Sequence, residues 1–281
     1  MKTGIGQGSD GPIDSREPAS ASRPASAAAE ARVRSAGRAV FPGFELRRVA
    51  RTASTQDVVR TAAWAGVPEG FCCVAGEQTA GRGRSGRAWV APPDSALLTS
   101  LLLRRQGVVA AAIPLVAGLA VADAVCGLTG VDCRLKWPND VLAGTGKLAG
   151  ILGEVEPGGG IVLGVGLNLT VAAFPPDVPG VSLDRVAGGV WGWDAVLAAF
   201  LAELGSRLRQ VEAGGVRSLR DDWTARAAGL GGPVRAEVGG AVVEGTALGI
   251  EDDGALLVAT DRGRVRLVAG EVHLLPGAPP R

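Results

Sequence analysis

Three short stretches of this chain hold residue types and spacings that suit chemistry. The first, Gly76–Trp89, reads GEQTAGRGRSGRAW and sets Arg82, Arg84 and Arg87 among Gly81, Gly83 and Gly86. Guanidiniums on such a loop are forked, permanently charged donors for carboxylate or phosphate oxygens. The glycines let backbone N–H groups approach a ligand that a Cβ would keep away. The second stretch is Lys136-Trp137-Pro138-Asn139-Asp140, and the third is Lys147 at the head of KLAGIL. Taken singly, Lys136 and Lys147 read as surface lysines, Trp89 and Trp137 as core aromatics, and Asn139 as a turn residue. An RGRxGR string alone serves equally well as a solvated basic loop or a nonspecific nucleic-acid contact.

Composition narrows the chemistry. Net charge is +1 over 281 residues, which implies no nucleic-acid, membrane or acidic partner, so the arginine cluster is local. His273 is the only histidine, and tyrosine is absent. A histidine base or a histidine metal site is therefore nearly excluded, and His273, in an apolar alternation, reads as structural. Cys72, Cys73, Cys126 and Cys133 lack the spacing of a zinc site and read as small core residues in a reducing cytoplasm. The apolar run Val108–Val125 contains Pro114, Gly118 and Asp123 and reads as a buried helix, not a membrane span.

The elements that must position these residues follow in order. Residues 1–42, rich in Ala, Ser, Gly, Pro and Arg, read as a disordered tail that buries too little to offset ordering entropy. A strand covers Glu45–Val49, and Ser54 or Thr55 caps a helix with Asp57 in its first turn. Buried strands are predicted over Phe71–Ala75 and Leu97–Leu103, with a core helix over Pro114–Leu128 between the latter and a strand Arg134–Trp137. Lys147–Glu154 and Ile161–Leu169 form a hairpin whose glycines are costly unless something lies against the sheet. Helices follow over Trp193–Val211 and Val216–Ala228. Beyond a linker at Gly229–Pro233 come short β runs at Val234–Val238, Ala241–Ile250, Ala255–Thr260, Arg264–Val268 and Glu271–Leu275. Gly239-Gly240, Asp253-Gly254 and Arg262-Gly263 separate them as hairpin signals, so residues 43–230 form one domain and 231–281 a small barrel.

GRGRxGRxW, KWPND, KLAGIL and GxGxN (Gly164 to Asn168) stand together in the order found in biotin protein ligases, which the chain from about Phe44 to its C-terminus resembles. The resemblance implies an α+β fold, a class II aminoacyl-tRNA synthetase-like mixed sheet with flanking helices, followed by an SH3-like barrel. It implies activation of biotin by ATP to biotinyl-5′-AMP, with Mg²⁺ sharing the charge, then transfer to a lysine of a biotin carboxyl carrier domain. Residue by residue, it places Ser54, Thr55, Gln56 and Gln78 on the ureido ring of biotin. Gly81, Arg82, Gly83 and Arg84 match the loop that closes over biotin and phosphate, with Arg87 and Trp89 beside the adenylate. Asn139 and Asp140 match polar positions near the nucleotide, Asp140 toward the metal. Lys147 matches the lysine that reaches the reacting carboxyl and α-phosphate, and with Arg84 forms the catalytic pair. Gly150, Gly164 and Asn168 match the floor under biotin and adenosine, and Ile151 a position on the adenylate.

Members that also repress transcription carry a helix-turn-helix domain, and no such pattern precedes Phe44, so a ligase without DNA binding is expected, as a monomer or weak homodimer. A lipoate or octanoate ligase of the same fold would follow its arginine- and glycine-rich motif with a histidine and an aspartate, and no histidine is expected anywhere near this loop. A nucleic-acid module would interleave basic residues with aromatics, and here aromatics are 4% with no second basic cluster expected to face the loop.

Overall fold

The computed structural model describes residues 1, 27–175 and 178–275. Helix α1 spans Ala27–Val40, followed by β1 (Glu45–Thr52), α2 (Thr55–Trp64), β2 (Phe71–Gln78), β3 (Ala96–Leu103) and α3 (Gly107–Thr129). Then come β4 (Cys133–Lys136), β5 (Asp140–Ala143), β6 (Gly146–Val155), β7 (Ile161–Asn168), α4 (Leu183–Ala187), α5 (Trp193–Gly214) and α6 (Arg220–Arg226). The C-terminal unit holds β8 (Pro233–Val238), β9 (Ala241–Ile250), β10 (Leu256–Thr260), β11 (Gly263–Leu267) and β12 (Glu271–Leu274).

The main sheet is mixed, in the order β1-β2-β3-β7-β6-β5-β4. Only the β1–β2 pair is parallel among the described strands, and α2 is its crossover. Both faces of the sheet centre are covered, so β3 is buried at every position and reads as a continuous apolar run. Val59 of α2 packs with Phe71, Cys73, Leu102 and Val162 on one face. On the other face, α3 and α5 pack with the neighbouring residues Cys72, Leu101 and Leu103. Cys72 and Cys73 therefore point to opposite faces and are both fully buried.

Helix α3 is apolar all round because it lies between the sheet and α5, as Val116, Ala117, Leu119 and Ala120 show. By length and composition it would also cross a membrane, but its surface is spent on the core. Its Pro114 rests over Gly153 of β6, where an added Cβ would sit 3.4 Å from the ring.

The expected tail needs correction. Helix α1 is ordered against α5: Val33 is fully buried, Gly205 leaves room for Val40, and Arg32 pairs with Asp194 at 2.6 Å. Its apolar residues are too few and too small to announce a helix, and only α5 gives them a surface. Residues 2–26 of that expected tail lie outside the described residues, as do 276–281 of the expected barrel.

The five C-terminal strands form one antiparallel sheet, β11-β10-β9-β8-β12, of the SH3-like kind. The expected hairpin glycines all have positive φ at Gly239, Gly240, Gly254 and Gly263. This unit is tied to the main sheet where Trp137 donates its indole N–H to Gly254 O at 3.0 Å.

Candidate functional site

Helix α2 begins at one wall of a cavity of about 590 Å³. Ser54 is its N-cap, in extended conformation, and accepts from Gln56 N at 3.3 Å. Thr55 donates its backbone N–H to Gln78 Oε1 at 2.7 Å, and its hydroxyl lies 3.0 Å from the same oxygen and 2.7 Å from Ser100 Oγ. Gln56, which lines the cavity, donates Nε2 to Glu154 at 2.9 Å, and its Oε1 is a buried acceptor with no partner. Ser54, Thr55 and Gln56 are each no more than 3% exposed, so their polar groups are desolvated in advance of any ligand.

The arginine- and glycine-rich stretch is a small hairpin. Trp89 N donates to Gly81 O at 2.9 Å, Gly83 N donates to Arg87 O at 2.7 Å, and Arg82 bridges Ala88. The turn is made by Ser85 and Gly86, at φ 55° and 75°. The hairpin folds Trp89 down onto the sheet, where Gly150 and Gly166 face each other on β6 and β7. A Cβ on Gly150 would lie 2.8 Å from the indole, and one on Gly166 would be closer still. A Cβ on Gly164 would likewise meet the Gln56 amide at 3.0 Å. The glycine floor is thus covered by Trp89 and Gln56 themselves. The Trp89 indole N–H is buried and unpartnered.

KWPND is a hairpin as well: Lys136 and Asp140 pair across β4 and β5 around a cis Trp137–Pro138 peptide. Strand β5 was not anticipated, because four residues between a proline turn and Gly144 carry too little pattern. The hairpin gathers charge. Lys147 Nζ lies 2.6 Å from Asp140 Oδ1, and Lys136 Nζ lies 3.9 Å from Oδ2. Arg84 donates to Asn139 Oδ1 at 3.4 Å. Burial pulls the Arg84 guanidinium and the Lys136 ammonium below their ordinary pKa values, and the Asp140 charge partly opposes this for both. Three cations around one carboxylate form a centre ready for an anion. Lys136 and Lys147 are also the second basic group facing the loop that sequence distance had hidden.

Every anticipated site residue lines this one cavity except Gly81, which serves the hairpin's closure. Two arginines are already engaged. Arg82 makes a two-pronged contact with Asp57, at 2.7 and 2.9 Å, and Arg87 meets Glu271 of β12 at 2.5 Å. The asparagines act first on the backbone. Asn139 donates to Ile151 O at 3.0 Å, and Asn168 donates to Lys147 O and Val181 O at 3.2 and 3.1 Å. Sequence reasoning missed Ser100, the Phe174–Gly180 segment, whose described residues border the cavity, and the C-terminal Glu271 and His273. His273 departs from the expectation of a packed structural residue: it is exposed and borders the same cavity that the loop lines. Cys126 is exposed, against the expectation of a core residue, while the other three cysteines are buried.

Asp140 is the carboxylate beside the three cations, and the described residues contain no cluster of three His, Cys, Asp or Glu that could cage a metal. With that one carboxylate already paired to Lys147, these residues make no cage of their own, and a hard divalent cation would have to be carried by a ligand's phosphates and water.

The chain also resembles known proteins in sequence and fold. The profile of the biotin/lipoate A/B protein ligase family matches residues 49–170, and that of the biotin protein ligase C terminal domain matches 229–275. The chain is 40% identical to the biotin--[acetyl-CoA-carboxylase] ligase of Mycobacterium tuberculosis over 82% of its own length and 89% of that protein. It is 38% identical to the enzyme of the same name from Paracoccus denitrificans, over 71% of this chain and 88% of that one. Among solved structures, the biotin protein ligase from Aquifex aeolicus in complex with biotin and ATP is similar at a TM-score of 0.74 and 27% identity. That match covers 82% of this chain and 98% of the other.

Proposed function

We infer the reaction of this chain from the premise that it belongs to the biotin protein ligase family. It activates biotin with ATP and transfers the biotinyl group to a lysine of a carboxylase's carrier domain. The observation that carries the mechanism is the cation centre of Arg84, Lys136 and Lys147, set in one cavity with the polar N-terminus of α2.

In the first step a carboxylate oxygen of biotin attacks the α-phosphorus of ATP, and the bond to the bridging oxygen breaks to release pyrophosphate. Two anions must meet, so positive charge placed where the new negative charge accumulates lowers the barrier most. Lys147 takes the carboxyl and α-phosphate oxygens, and Arg84 and Lys136 take the phosphates. Asp140 would help to hold a Mg²⁺ brought in by the nucleotide, and the ion would add positive charge to the site. At the other end, Gln56 Oε1 and the Thr55 hydroxyl accept from the ureido N–H groups, while Ser54 and Gln78 complete the polar wall. Gly150, Gly164 and Ile151 form the floor, and Trp89 covers it. Arg87 borders the adenylate. Asn139 and Asn168 hold Arg84 and Lys147 in place and leave Asn168 Oδ1 for the adenine.

In the second step the carrier's lysine amine attacks the acyl carbon, AMP leaves with the bonding electrons, and the amine gives up a proton. No enzyme nucleophile is required. The buried thiols suit that scheme, since burial pushes Cys72 and Cys133 up to about 12 and Cys73 to about 11. Its free cysteines fit a reducing cytoplasm. The test is pyrophosphate release that depends on biotin, with lipoate and octanoate as controls. Equal release with octanoate would transfer the assignment to the lipoate branch of the fold.

A further inference from the structure

Arg82 stands in the arginine-rich hairpin, yet its guanidinium faces Asp57 and not the cation centre. Both Asp57 oxygens are used: Nη2 of Arg82 lies 2.7 Å from Oδ1 and Nη1 lies 2.9 Å from Oδ2. Arg60 Nη1 reaches the same Oδ1 at 2.7 Å, and Arg60 is itself anchored to Glu154 and Glu156, each at 2.8 Å. Glu154 Oε2 also accepts from Gln56 Nε2. An unbroken chain therefore runs from Gln56 in the cavity wall through Glu154, Arg60 and Asp57 to Arg82 in the hairpin.

A first-turn aspartate on α2 is explained by the helix dipole alone, and most exposed ion pairs contribute little. The geometry here is of another kind. A planar fork meets a carboxylate along two parallel bonds across 25 residues of sequence, and a second arginine fixes the carboxylate's rotamer. The Arg82 hydrogen bond is also the largest influence holding the Asp57 carboxyl below its ordinary pKa. What the contact joins is the ligand-reading end of α2 and the hairpin that carries Arg84 and Trp89 over the cavity.

We propose that Asp57 is a positioning residue that, by gripping Arg82, ties the hairpin to α2 and governs how long the acyl-adenylate is retained. The proposal rests on the ligase reading given above. Asp57 touches no reacting atom, so its removal should loosen the cover more than it slows the chemistry.

The experiment measures escape of biotinyl-5′-AMP from the full-length enzyme without carrier protein, together with KM for biotin and kcat for adenylation. Asp57→Asn should raise the escape rate and KM by about threefold to tenfold, with kcat changed by less than about twofold. Arg82→Gln should raise the escape rate to the same extent, and the double variant should raise it no more than either single, because both remove one contact. Trypsin cutting within Arg82–Arg87 of the ligand-free protein should quicken in both singles, and Asp57→Glu should restore part of the protection. A wild-type chain that forms no biotinyl-5′-AMP would defeat the ligase reading itself. With an active wild type, unchanged escape in Asp57→Asn, or effects of the two singles that multiply, would overturn this proposal alone.

Discussion

Replacing Lys147 should remove charge from the reaction while leaving the strand in place. Its backbone is held whatever the side chain: Lys147 N donates to Pro179 O at 2.6 Å, and Lys147 O accepts from Val181 N and Asn168 Nδ2. The ammonium sits 2.6 Å from Asp140, so part of its field is neutralised until an anion arrives. A unit charge about 4 Å from a developing anion is worth roughly 4 kcal/mol at an effective dielectric constant near 20. Asp140 offsets some of this, and Lys136 and Arg84 remain, which brings the expectation to about 2.7–4 kcal/mol, or 10²–10³ in rate. Lys147→Ala and Lys147→Gln should both lose that much in single-turnover formation of biotinyl-5′-AMP, followed by quenched flow. Lys147→Arg should recover only part, because a planar fork does not fit the position of a point charge. Biotin affinity, measured by calorimetry, should fall less than the rate. Asp140 keeps Lys136 at 3.9 Å, so unfolding free energy should drop by only about 1–3 kcal/mol. Adenylation by Lys147→Gln at near the wild-type rate would refute the mechanism and return Lys147 to an ordinary surface lysine.

Val33→Ala, at a fully buried position, should cost about 1–3 kcal/mol in a urea titration. An unchanged midpoint in Val33→Ala would show that α1 is not part of the core. Gly166→Ala should fold but push the Trp89 indole off the sheet, raising KM for biotin by about tenfold, and an unaltered KM would mean that the indole position is irrelevant to binding. Iodoacetamide at pH 8 should label Cys126 alone in the native protein and four cysteines after unfolding. Burial favours the neutral thiol, so a pKa pushed up to about 12 leaves Cys72 and Cys133 almost without thiolate at that pH. Rapid native labelling at a second site, read by peptide mass spectrometry, would contradict this. Trp137→Phe should lose about 1 kcal/mol with the hydrogen bond to Gly254 O, a loss that circular dichroism during urea unfolding would detect.

The sequence by itself determined the parts of this protein that local pattern controls. Continuous apolar runs marked β2 and β3, a helical stripe marked α5, and paired turn residues marked every hairpin of the C-terminal sheet within a residue or so. Helix α1 and β5 escaped because one borrows its stability from α5 and the other is too short to show a period. The residue types that line the cavity were legible because arginine and lysine announce positive charge, and glycine close backbone approach, by their type alone. Their partners were not legible. That Arg82 would grip Asp57, that Arg87 would meet Glu271, and that Trp89 and Gln56 would lie on the floor left by Gly150, Gly164 and Gly166 all join segments distant in sequence. A side chain's type limits what it is able to bind, but its field and its free lone pairs depend on neighbours that only the folded chain brings within a few ångströms.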